Sequence, residues 1–144
     1  IIAPEIKILN AQPLGELILW FLGPTAMKMG LKKGFYKKSL LSLEIINEYC
    51  RPFRNPDAQK RTLELLRAFD LANEKLAKEI KNISVPTLIL RAEHERFFSF
   101  SGSEFLHKEI RNSRLEIIDD CGHFIQEEKP KESAEIIISF IRDK

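Results

Sequence analysis

Two short apolar runs, Val85-Pro86-Thr87-Leu88-Ile89-Leu90 and Leu115-Glu116-Ile117-Ile118, constrain this chain more than any other feature. The first lacks the polar alternation of a strand with one wet face, and so reads as a parallel strand covered on both sides. Each run leads into a segment of helical pattern. After the first, Ser101 and Glu104 match a capping box ahead of Phe105, Leu106 and Ile110. After the second, Pro130 opens a helix whose Ile136, Ile137, Phe140 and Ile141 share one apolar face. The order strand–helix–strand–helix predicts an α/β fold, yet two parallel strands are not a stable sheet in water. The sheet is therefore expected to be incomplete in this chain. Val85, Leu88, Ile89, Leu90, Ile117 and Ile118 are expected to lack partners on at least one side. The remaining strands would come from an N-terminal segment or a second copy covering the open edge.

Residues 14 to 80 carry no useful strand alternation and read as helical. The apolar segment Leu17–Leu22 is expected to stop at Gly23-Pro24. Leu43, Ile46 and Cys50 recur at helical spacing until Pro52. Asn55-Pro56 starts a further helix with a buried stripe of Leu63, Leu66, Phe69, Leu76 and Ile80. Ile1-Ile2-Ala3-Pro4 reads as the end of a strand that began earlier.

Composition narrows the function classes. With 44% hydrophobic and 31% charged residues in 144, the chain is an ordinary globular sequence, and its net charge of +2 argues for neither nucleic acid nor an anionic membrane surface. The longest apolar stretch is far too short to span a bilayer. Cys50 and Cys121 fit no metal or redox spacing and suit idle thiols in a reducing cytoplasm. No phosphate loop, dinucleotide fingerprint or metal-ligand spacing is present, so neither a cofactor nor a metal is expected.

Several segments, taken in order, resemble the α/β-hydrolase family. Ile83-Ser84-Val85-Pro86-Thr87-Leu88-Ile89-Leu90 is similar to that family's penultimate strand, which runs into a turn carrying the acid of a catalytic triad. Here the turn reads Ala92-Glu93-His94-Glu95, with alanine and glutamate where the family commonly has glycine and aspartate. Leu115–Ile118 followed by Asp119-Asp120-Cys121-Gly122-His123-Phe124 resembles the last strand and the loop bearing the triad histidine. Glu127-Glu128-Lys129-Pro130 resembles the lead into the closing helix. The resemblance implies three parts: residues 1–9 ending the strand before a lid, residues 10–82 forming a helical lid, and residues 83–144 forming the terminal βαβα part of the core.

It also implies roles. His123 would be the general base and acid, and Glu95 the carboxylate that orients it. The 28-residue interval between them holds one helix and one strand, so both emerge at the C-terminal edge of adjacent strands. The bland alternatives are a loop-capping histidine and a solvated acid. Glu5, after the strand before the lid, resembles the acid position of haloalkane dehalogenases and is the rival to Glu95. Asp119 and Asp120 are expected to serve the loop, and His94 and His107 to lie on the surface. Trp20 and Phe21 from the lid, with Phe97 and Phe98 past the acid turn, would wall an apolar pocket for a small-molecule substrate.

No Gly-x-Ser-x-Gly elbow occurs in the sequence, and Ser101-Gly102-Ser103 reads as a helix start. The chain is thus expected to be inert alone, as the C-terminal part of a hydrolase of esters or carbon–carbon bonds. An upstream aspartate nucleophile would instead imply an epoxide or haloalkane hydrolase. The departures at Ala92 and Glu95 support a third reading, a hydrolase-like binding module without catalysis.

Overall fold

The computed structural model describes residues 14–143, apart from the side chains of residues 69–76. Glu5, the expected strand end at Ile1–Pro4, and the side chains of Phe69 and Leu76 lie outside the described residues. Among the described residues, three α-helices come first: α1 (Leu14–Gly34), α2 (Leu43–Cys50) and α3 (Pro56–Glu79). They are followed by β1 (Thr87–Ala92), α4 (Phe100–Glu109), β2 (Ser113–Ile118), α5 (Ile125–Glu128) and α6 (Pro130–Arg142).

The expected stop at Gly23-Pro24 does not occur. Helix α1 runs through both residues, and tertiary packing is the reason. A Cβ at position 23 would crowd the Gln59 amide and the Phe53 carbonyl, so only glycine admits the start of α3 this close. Cys50 on α2 donates its Sγ–H to the Pro24 carbonyl at 3.2 Å. These cross-helix contacts outweigh the proline's missing N–H. Leu31 and Phe35, both fully buried, pack with Cys50, Ile45, Ile46, Tyr49 and Phe124 in one apolar cluster.

The starts of α2 and α3 follow local chemistry. Ser42 accepts the Ile45 N–H at 3.1 Å as an N-cap, and Asn55 accepts the Asp57 N–H at 2.8 Å. Leu63 and Ile80 are buried as expected of the α3 stripe. Helix α4 begins earlier than the capping box suggests. Its N-cap is Ser99, and Ser101 lies in the first turn with its hydroxyl against that of Ser99.

Strands β1 and β2 pair in parallel, with Thr87 opposite Ser113 and Ala92 opposite Ile118. The pairing continues beyond the strands, because Glu93 N–H donates to the Ile118 carbonyl and His94 N–H to the Cys121 carbonyl. The two loops at the strand ends are therefore held side by side. Exposure is as expected at Val85 (64%) and Ile117 (45%), and Ile137 and Ile141 on the apolar face of α6 are exposed as well. Ile118 departs from the expectation: it is fully buried with Ala92 and Cys121, covered by Ile125 and Ile136. Its neighbours come largely from the chain just after it, so it needs no further strand. Among the described residues, the architecture is a mostly helical, partial α/β fold with a two-stranded parallel sheet. No described helix is long and apolar enough to cross a membrane.

Candidate active site

The loop after β1 carries Glu95, and the loop after β2 carries His123. Parallel pairing brings both to one end of the strands, where Glu95 Oε2 lies 2.6 Å from His123 Nδ1. The other carboxylate oxygen of Glu95 accepts the N–H of Phe97 at 2.6 Å and of Phe98 at 3.4 Å. Glutamate's extra methylene is absorbed this way: the side chain folds back over its own turn, which fixes it before it meets the imidazole. Only 10% of the Glu95 side chain is exposed, against 32% for His123.

Glu95 titrates below the ordinary carboxylate range. Burial, the largest single influence, pushes the other way, but the hydrogen bond from His123, the Phe97 and Phe98 amides and the imidazole's charge together outweigh it. As a carboxylate it can only accept, so His123 Nδ1 carries a hydrogen, and whenever the ring is neutral Nε2 presents the lone pair. That is the tautomer a general base requires. The pH dependence has a definite sign. The unfolded chain binds this proton more readily, so the pair's stabilisation is full above about pH 4.3 and lost as pH falls through the depressed native value. The stability gap between wild type and Glu95→Gln, followed by urea unfolding, should narrow only below that pH.

Aromatic rings surround the imidazole. Phe97 and Phe124 meet it edge-on, at 4.8 and 5.1 Å between centroids, and Phe98 lies tilted at 5.9 Å. Phe97 and Phe98 thus lie beside the imidazole. Trp20 and Phe21 stand elsewhere, largely exposed on α1 and in edge contact with each other at 4.5 Å. Trp20 borders a separate cleft between α1 and α3, beside Leu19, Leu63 and an ion pair of Glu16 with Arg67.

The histidine loop is anchored by groups that local spacing did not reveal. The buried carboxylate of Glu128 accepts three backbone N–H groups: Tyr36 and Lys37 on Oε2, and Gly122 on Oε1, all within 2.9 Å. His123 N–H donates to the carbonyl of Gly34, one of the last of α1 and otherwise an orphan of the helix end. A Cβ on Gly122 would overlap the Gly34 carbonyl, the Tyr36 nitrogen and Glu128 together, so glycine is required before the histidine. Burial, reinforced by Glu128, pushes the neighbouring Cys121 thiol up to about 11. It stays protonated at neutral pH and is no nucleophile.

His94 is not a plain surface residue. Its ring stacks on Tyr36 at 3.8 Å, and Nε2 lies 3.4 Å from Glu93. Asp120 adopts a positive φ of 50°, and its backbone N–H donates to Glu93, a loop contact across 27 residues. Glu93, His94 and Asp120 bring donor atoms within 4.8 Å of one another, a grouping no sequence spacing announced. His107 is exposed and bonds the Ser113 hydroxyl. Cys50 and Cys121 are both free and buried.

Comparison with known proteins gives the family. Residues 21–130 match the sequence model of the alpha/beta hydrolase fold, and the chain belongs to that family. Among relatives, the mouse (Mus musculus) monoacylglycerol lipase ABHD6 is 33% identical over 76 residues, covering 50% of this chain and 23% of the lipase. The uncharacterized hydrolase YugF of Bacillus subtilis is 31% identical over 109 residues, covering 74% of this chain and 38% of its own. A crystal structure of the meta-cleavage product hydrolase CumD superposes with a TM-score of 0.69 at 21% identity, over 84% of this chain and 46% of that one. The chain therefore spans less than half the length of each of these proteins.

Proposed function

We propose that this chain supplies the histidine, the acid and the lid of a hydrolase whose nucleophile is contributed from outside these 144 residues. The observation that carries the reading is the 2.6 Å contact between His123 Nδ1 and Glu95 Oε2, made across two loops at the ends of parallel strands. His123 Nε2 takes the proton of a hydroxyl nucleophile as its oxygen bonds to the substrate carbonyl carbon. It then passes that proton to the leaving group, and in the second half it activates water to release the acyl product. Glu95 stabilises the imidazolium in both halves. A small or medium apolar ester, or a carbon–carbon bond next to a carbonyl, suits the phenylalanine wall of Phe97 and Phe98. The bonded acid–histidine pair favours a working enzyme over a binding module, and the two reduced cysteines fit a cytoplasmic setting.

The test uses the full-length protein. It should hydrolyse short-chain p-nitrophenyl esters or a dienoate substrate and should label with a serine-directed fluorophosphonate, whereas the 144-residue chain by itself should do neither. A labelled isolated chain would overturn the placement of the nucleophile. A full-length protein that hydrolyses but resists the probe would point to an aspartate nucleophile and to epoxide or haloalkane substrates.

A further inference from the structure

Arg91 is a charged residue at the end of an apolar strand, after Leu88-Ile89-Leu90, and it is only 8% exposed. No carboxylate pairs with it among the described residues. Its guanidinium donates to backbone carbonyls instead: Nη2 to Phe98 at 3.1 Å and Nη1 to Ser99 at 3.0 Å, with the Ser103 hydroxyl at 3.1 Å as a third acceptor. It also lies over the Phe100 ring, 5.2 Å from the centroid.

A buried cation here needs a reason. An aliphatic side chain would fill a strand position with no desolvation cost. The site also faces the start of α4, the positive end of a helix, where a cation is disfavoured. What Arg91 does hold is the 98–99 backbone, through a rigid two-pronged grip that a point charge cannot reproduce. The same short segment offers its Phe97 and Phe98 amides to Glu95 and lays both rings against His123. The contacts form an unbroken series from the guanidinium, through the 97–99 backbone and the Glu95 carboxylate, to His123 Nδ1.

We infer that Arg91 is a positioning residue: it fixes the turn that aims the longer glutamate at the histidine, in place of the shorter aspartate common in this family. This rests on the catalytic reading of the Glu95–His123 pair, but its test does not depend on turnover alone. In the full-length protein, proton NMR reports the imidazole N–H bonded to a carboxylate as a far-downfield resonance, whether or not the pair is catalytic. In Arg91→Met that resonance should broaden or disappear, and kcat should fall about tenfold to a hundredfold with little change in KM. Methylguanidinium added to Arg91→Ala should restore part of both signals, which a general loss of packing would not allow. Should Arg91→Met not fold, Arg91→Lys keeps a buried cation without the fork and should also weaken the resonance. Retention of the resonance and of kcat in either folded variant overturns the inference. Full turnover in His123→Ala would instead reject the catalytic reading and leave the resonance to judge Arg91.

Discussion

Glu95→Gln in the full-length hydrolase is expected to lower kcat by about three to four orders of magnitude, with KM nearly unchanged. The amide can still accept from Phe97 and Phe98. With the oxygen so used, its NH2 faces His123 and draws Nδ1 into the wrong tautomer, and the neutral amide cannot stabilise the imidazolium. His123→Ala should cost at least as much, because it removes the proton carrier itself. Glu95→Asp separates geometry from charge. The shorter carboxylate cannot reach the imidazole and both turn amides as the structure now has them, so a partial loss is expected. Steady-state kinetics on one ester decides the matter. Unchanged turnover in Glu95→Gln would transfer the acid role to Glu5.

The second large effect concerns folding. Gly122→Ala should destabilise the protein by about 3 kcal/mol or more, since the added methyl meets three polar atoms already fixed by one another. Relief would require breaking the bonds from Glu128 to Tyr36 and Gly122, or displacing the Gly34 carbonyl from His123. Gly30 provides the contrast. It lies inside α1 with open space where a Cβ would stand, so Gly30→Ala should stabilise by about 0.5–1 kcal/mol through helix propensity alone. Urea denaturation of the two variants should therefore give midpoint shifts of opposite sign. A neutral Gly122→Ala would mean that the histidine loop is looser than these contacts imply.

The parts legible in the sequence are those whose signals are local. Strand β1 announces itself by the apolar run Val85–Leu90, although it extends through Ala92 into the expected turn, α6 by its proline, and the Glu95 and His123 loops by their position after strands. The remainder depends on contacts between distant segments. Nothing near Glu128 states that its carboxylate receives amides from residues 91 and 92 positions away. Gly23-Pro24 looks like a helix stop because the groups that hold the helix there belong to α2 and the start of α3. Arg91 reads as a strand-ending charge, and only the fold shows that it faces inward toward carbonyls. His94 likewise gains its stacking partner from the far end of α1.

The Glu128 anchor has a practical consequence for exchanging parts between relatives. A chimera joined at the end of α1 would separate Gly34 from Phe35, Tyr36 and Lys37. Such a cut would divide a unit that the protein treats as one piece: residues 34–37, the Gly122-His123 loop and Glu128 share a single set of bonds. A transplanted helical segment should therefore end before Gly34 or bring along the recipient-facing residues through Lys37, together with a matching glutamate on the far side. Seams placed elsewhere in the 38–82 stretch spare this set of bonds, but an exchange that includes Tyr49 also has to preserve its edge contact with Phe124 and its bond to Glu127.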